Sequence, residues 1–285
     1  MQDEKTAGKP HPTIADFHDV DSSDSSFLIT YLDAVNRGAG NDKRRSYEAL
    51  QLAEGMRVLE LGCGTGDDVR AIAQIVGPRG RVIGVDSSAA MIAEAQARGT
   101  PSNVEFLQAR ADALPFEAAS FDACRAERIF QHLSNPEIAA SELRRVLRID
   151  GRAFVLDPDW ETLMIAGADI TITRRMTRAL ADRLAYPLAG RNALALLRRA
   201  GFRCVITAPL VAAPTLAAAH DLFLTSAIDS AIAAGTVTTE EAATWLRALA
   251  EAEQRGEFFC AIMSVATLAK DTFELSDVPS VQAWR

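Results

Sequence analysis

The sequence predicts an α/β fold: a doubly wound, mainly parallel seven-stranded sheet with helical insertions. Three observations predict it. Strand-like and helix-like runs alternate from Val58 to Asp157, and such alternation demands a parallel sheet with helices on both faces. The first of these strands, Val58-Leu59-Glu60-Leu61, reads as apolar on both faces, as a central parallel strand covered from each side must be. It breaks into the turn Gly62-Cys63-Gly64-Thr65-Gly66, and a second strand ends at Asp86. A strand, a glycine-rich turn and a carboxylate at the next strand end form the pattern of a nucleoside-binding crevice.

The elements follow in order. Phe27, Leu28, Tyr31, Leu32 and Val35 form a helical stripe behind the serine-rich cap Ser22 to Ser26, and a short helix is expected from Asp42 to Leu50. Then come strand Val58 to Leu61, helix Val69 to Val76, strand Arg81 to Asp86, helix Ala89 to Arg98 and strand Val104 to Ala109. Strand Phe121 to Arg125, helix Pro136 to Val146 and strand Arg152 to Asp157 complete the regular part. A helix from Arg191 to Ala200 closed by Gly201, a strand from Phe202 to Thr207 and a last strand from Phe258 to Leu268 end the sheet. Residues 26–285 are therefore read as one domain after a flexible acidic arm, 1–25. Segments 26–50, 159–190 and 214–255 are expected to roof the crevice and select the ligand.

Composition narrows the function. A chain of 285 residues with 48% hydrophobic residues can build one core with additions. No apolar run reaches the roughly 18 to 20 residues of a membrane span, and Met1 to Pro12 is polar without an apolar signal segment. No membrane partner and a cytoplasmic location are expected. A net charge of −8 argues against general nucleic-acid binding, which needs a basic face. Six carboxylates, Asp3, Glu4, Asp16, Asp19, Asp21 and Asp24, gather in the arm, while arginines crowd residues 174–203, mainly as a solvated helix face. Cys63, Cys124, Cys204 and Cys260 form no C-x-x-C pair and read as reduced thiols, with no metal site.

The glycine spacing separates two cofactor classes. A dinucleotide fingerprint started at Gly62 requires a third glycine at position 67, where this chain has Asp67. A carboxylate there repels a pyrophosphate. The acidic helix start Asp67-Asp68 instead suits a ligand without phosphate, and the glycines let the backbone approach it without a Cβ between.

Glu60-Leu61-Gly62-Cys63-Gly64-Thr65-Gly66 resembles motif I of the class I S-adenosylmethionine-dependent methyltransferases. Further pieces resemble their UbiE/type 11 subgroup: Arg81 to Ser88, Ala111 to Phe116, Ser120 to Ala123, Gln131-His132-Leu133 and Arg145 to Gly151. The likeness is strongest from Leu50 to Thr207. It departs at Ile149-Asp150-Gly151, where the family shows Pro-Gly-Gly. The resemblance implies a Rossmann-like methyltransferase fold, S-adenosylmethionine as cofactor and S-adenosylhomocysteine as product. It implies that Asp86, followed by Ser87, accepts from the ribose hydroxyls, that Asp112 and the Ala113 backbone read the adenine edge, and that Met91 packs on the adenine plane. Glu60, Gly62, Gly64 and Arg125 should surround the methionine part.

Methyl transfer needs a nucleophile held in line with the sulfonium methyl, and a base only where the nucleophile must lose a proton. His132 follows the fourth strand beside the expected methyl site and is a candidate for that base or for the cofactor shell. Asp157 and Asp159 end the fifth strand, where open α/β sheets place ligands; they can orient an acceptor or cap the turn around Pro158. Arg128 and Glu161 can reach the same mouth, with Phe17, His18, Tyr31 and Trp160 as lid candidates. The expected function is methyl transfer to a small-molecule acceptor through an O, N or C nucleophile, by a monomer or homodimer. Its rival is a protein that binds S-adenosylmethionine for a non-methylating reaction or as a noncatalytic partner, because fold alone does not fix chemistry.

Overall fold

The computed structural model describes residues 40–271, together with Ile29, Leu32 and Asp33. The acidic arm, most of the helix expected from Ser26 to Val35 and the lid candidates Phe17, His18 and Tyr31 lie outside the described residues. Helix α1 (Gly40–Ala49) leads into strand β1 (Arg57–Leu61), then α2 (Asp67–Val76), β2 (Arg81–Asp86), α3 (Ala89–Ala97), β3 (Val104–Gln108), β4 (Phe121–Glu127) and α4 (Pro136–Val146). Strand β5 (Leu147–Ala166) is followed by α5 (Ile170–Arg183), α6 (Ala189–Arg199) and β6 (Cys204–Ala212). Helices α7 (Leu216–Ala219), α8 (Thr225–Ala233) and α9 (Thr239–Gln254) precede β7 (Phe259–Lys270), and a π turn over His220–Leu224 joins α7 to α8.

The seven strands lie in the order β3-β2-β1-β4-β5-β7-β6. Strands β1 to β5 pair in parallel, and β7 runs antiparallel to both β5 and β6. The order reverses between β1 and β4. That switch point opens a crevice at the carboxyl ends of these strands. Local sequence starts and stops the flanking helices: the Ser88 hydroxyl caps α3 by accepting from Met91 N at 3.1 Å, Pro136 opens α4, and Thr238 and Glu241 form a capping box on α9.

Alternating residues feed two cores, one on each side of the sheet. Leu59, Leu61, Val85 and Val155 pack with α4 and α6, whereas Val58, Val82, Phe154 and Leu156 pack with α2 and α3. A third core joins α5, α8 and α9 to the far ends of β5 and β7, around the buried Trp245. Its indole N–H donates to Thr173 Oγ1 at 2.8 Å, which satisfies the polar atom inside an apolar cluster.

Two strands depart from the sequence reading. β5 runs on past Asp157 to Ala166, and β6 runs past Thr207 to Ala212. Pro158 lies within β5 beyond Leu156, the last residue paired to β4, so its missing N–H breaks no ladder bond; Pro209 lies on β6, an edge strand. The turn that departs from Pro-Gly-Gly, residues 149–151, lies in a register shift where Phe121 opposes Leu147 and Ala123 opposes Arg152. No helix among the described residues is long and apolar enough to cross a membrane. Cys63, Cys124, Cys204 and Cys260 are all free thiols.

Candidate functional site

A cavity of about 460 Å³ occupies the switch point, a volume in the range that encloses a small ligand. Its wall includes Glu60, Gly62 and Gly64 from β1 and its turn, Asp86 and Ser87 from the end of β2, and Met91 from α3. Asp112 and His132 close the other sides. Of the segments expected to form a roof, the wall takes Leu32 and Ala185, and no residue of 214–255.

The glycine turn lets the wall come close. Gly62 has φ of 70°, and a Cβ built on it lies 1.8 Å from Ile129 Cδ1. Asp86 fastens the same turn: Gly64 N donates to its Oδ2 at 2.9 Å and Ser88 N to its Oδ1 at 3.0 Å. A carboxylate oxygen can accept more than one hydrogen bond, so Asp86 can serve a ligand hydroxyl as well as these N–H groups. Asp112 is held by the fork of Arg110 at 2.9 and 2.7 Å, and these bonds lower its pKa.

Below the turn lies a buried charge network. Glu60, 2% exposed, receives Arg125 Nη1 on Oε1, while its Oε2 has no partner among the described residues. Burial pushes the Glu60 carboxyl upward despite Arg125, because a bare oxygen out of water disfavours the charged form. Arg125 also binds Glu127 and Ser46 Oγ, the latter at 2.8 Å, and lies 3.5 Å from Asp68. Asp68 accepts from Lys43 Nζ at 2.6 Å and from the Tyr47 hydroxyl. Burial acts to raise the Asp68 pKa, yet Arg125 and Lys43 outweigh it and bring it down to about 2. Burial raises the Tyr47 pKa, so the phenol stays a donor.

Three expected site residues need correction. Arg125 is fully buried and absent from the cavity wall, because Glu60 and Glu127 hold its guanidinium beneath the floor. Ala113 does not line the cavity either; its N–H donates to Arg110 O at 3.2 Å and closes a turn. Asp157, expected to face the acceptor, is fully buried behind the wall, where it accepts from Phe130 N at 3.3 Å and Gln131 N at 3.2 Å. It therefore fixes the turn Phe130–His132 instead of meeting a ligand. Asp159 is buried on the fork of Arg191. Glu161 lies 3.7 Å from Arg178, and Trp160 donates to Gln131 Oε1 at 2.6 Å.

Sequence reasoning missed Lys43, Ser46 and Tyr47. Their spacing carried a signal, since positions three and four apart share one helix face and here that face is buried with Leu50. Glu127 was missed as well; it lines the cavity at the end of β4, 3.3 Å from Arg128, which the sequence reading places at the mouth. Among the described residues, no group of three or more His, Cys, Asp or Glu could hold a metal ion.

Burial raises the Asp157 pKa to about 8. The folded value exceeds the unfolded one, so the stabilisation is complete below the unfolded pKa near 3.8 and is lost as pH rises through about 8. Thermal melts should therefore show Tm falling from about pH 4 to about pH 8 and levelling above it, and Asp157→Asn, which cannot ionise, should flatten that slope. An unchanged slope would show that Asp157 does not carry this linkage.

The residues fit a zwitterionic nucleoside ligand. Glu60 Oε2 offers an unpartnered buried acceptor to an ammonium, Asp86 offers acceptors to vicinal hydroxyls, and Met91, 2% exposed, offers an apolar surface to a ring. Comparison with known proteins points the same way. Residues 58–151 match the profile of a methyltransferase domain. The chain is 35% identical over 254 residues to an uncharacterized 37.1 kDa protein in transposon Tn4556 of Streptomyces fradiae, covering 86% of this chain and 71% of that one. It is 34% identical over 119 residues to the ubiquinone/menaquinone biosynthesis C-methyltransferase UbiE of Hahella chejuensis, covering 40% of this chain and 48% of that enzyme. The matched stretch thus spans about half of that curated relative. In fold it is similar to the crystal structure of an inferred methyltransferase from Bacillus halodurans, with a TM-score of 0.58 and 17% identity over 81% of this chain and 99% of that one.

Proposed function

We propose that this chain, which belongs to the UbiE-like class I S-adenosylmethionine-dependent methyltransferases, methylates a small-molecule acceptor. The observation that supports the acceptor class is the partly open cavity at the switch point, whose wall around His132 mixes the apolar Leu32, Ile129 and Leu133 with the polar Arg128, Gln131 and Asn135. A recess of this size with a wall of both apolar and polar side chains suits a small organic ligand.

Bound in the cavity, S-adenosylmethionine supplies a methyl group on a positively charged sulfur for in-line displacement. The chain's own residues supply position and electrostatics. Glu60 takes the ammonium on its bare oxygen, Asp86 accepts from the ribose hydroxyls, Asp112 accepts from the adenine amino group, and Met91 packs on the base. Ser87 and the backbone of Gly62 and Gly64 complete the cradle.

His132 holds the acceptor and takes up the proton that an oxygen or nitrogen nucleophile must lose. It is the imidazole on the wall, and Asp157 fixes its turn from behind through Phe130 and Gln131. His132→Ala should lower turnover about 100-fold while leaving the affinity for S-adenosylhomocysteine unchanged, a loss within the usual range of a general base. Steady-state kinetics beside calorimetric titration measures both. A change in turnover under about threefold would remove His132 from proton transfer.

A further inference from the structure

None of the described side chains of helix α1 lines the cavity, yet the helix is tied to the cavity floor by four polar contacts. Lys43 Nζ reaches Asp68 at 2.6 Å, the Tyr47 hydroxyl reaches the other oxygen of Asp68, Ser46 Oγ accepts from Arg125 Nε at 2.8 Å, and the Tyr47 ring lies 5.4 Å from the Arg125 guanidinium carbon. Arg125 spends another donor on Glu60 Oε1. Glu60 lines the cavity, and its opposite oxygen is buried with no partner among the described residues. One guanidinium thus connects a residue of the cavity wall to a helix none of whose described side chains lines the cavity.

We propose that Arg125, Lys43 and Tyr47 couple cofactor binding to the docking of α1, so that they set cofactor affinity without contacting the cofactor. A ligand ammonium on Glu60 Oε2 stabilises the ionised carboxylate. The ionised carboxylate holds Arg125, and Arg125 orients Ser46 and the Tyr47 ring. Glu127, Asp68, Lys43 and Arg128 are the other charges on this network, and all are already paired within it. Linkage makes the coupling reciprocal: docked α1 raises ligand affinity by the factor by which bound ligand favours docking.

The inference rests on Glu60 taking the ammonium, and the test separates the two ideas. S-adenosylhomocysteine is titrated by calorimetry into the full chain, and hydrogen exchange of residues 40–49 is followed with and without it. Saturating ligand should slow exchange across α1. Lys43→Met and Tyr47→Phe should weaken binding by about fivefold or more, with Lys43→Arg restoring most of the loss and with the melting temperature of the ligand-free protein changed far less than the affinity. Exchange of α1 that is the same with and without ligand, or wild-type affinity in both variants, would overturn the coupling. Glu60→Gln distinguishes the premise: if it binds as tightly as wild type, the ammonium assignment falls, whereas a weakened Glu60→Gln with unchanged α1 exchange removes the coupling alone.

Discussion

Asp86→Ala should weaken binding of S-adenosylhomocysteine by about 100-fold, a loss of roughly 2.7 kcal/mol. Two effects add. The carboxylate loses its proposed bonds to the ribose hydroxyls, and charge-assisted bonds of this kind are the stronger sort. It also releases Gly64 N and Ser88 N, which it holds at 2.9 and 3.0 Å, so the glycine turn and the start of α3 lose their common anchor. Asp86→Asn should fall between, because its amide can accept from one of these N–H groups while its NH₂ opposes the other. Calorimetric titration of each variant, with circular dichroism to confirm the fold, measures the effect. An affinity for Asp86→Ala within threefold of wild type would remove Asp86 from the cradle.

Gly62→Ala should destabilise the protein by about 2 to 5 kcal/mol, combining the left-handed backbone cost with overpacking. The residue has φ of 70°, and the added methyl would lie 1.8 Å from Ile129 Cδ1 and 2.4 Å from Ile129 Cγ1. Ile129 must then move, and it lies on the cavity wall next to the turn that carries His132. Gly99→Ala is the matched control: its φ is 109°, but a Cβ there meets nothing within 4 Å. Thermal melts should show a loss for Gly62→Ala well beyond that for Gly99→Ala. Equal losses would mean that the approach of Ile129 adds nothing to the backbone strain.

The sheet was legible because its strands are short apolar runs whose alternation with helices leaves one topology. The crevice was legible because Gly62, Gly64 and Asp86 are needed for local reasons, a close backbone approach and an acceptor at a strand end. The extension of β5 was not legible, since Asp157-Pro158-Asp159 has the composition of a turn. It becomes a strand because β7, about 100 residues on, pairs antiparallel along it, with Pro158 lying beyond the end of the β4 pairing and Arg191 neutralising Asp159. Arg125 was read as a ligand neighbour from its place at the end of β4. Its actual role depends on Glu60, Glu127 and Ser46, and no local pattern predicts which of a cluster of charges will be buried together.

Methyl transfer to a small molecule is tested most directly by incubating the protein with methyl-deuterated S-adenosylmethionine and a small-molecule extract of its host, then following the label by mass spectrometry. A labelled metabolite of low mass, formed together with S-adenosylhomocysteine and absent with Asp86→Ala, is the expected result. Label recovered in protein or nucleic acid, or label that stays on the bound cofactor with extracts from every growth phase, would contradict it.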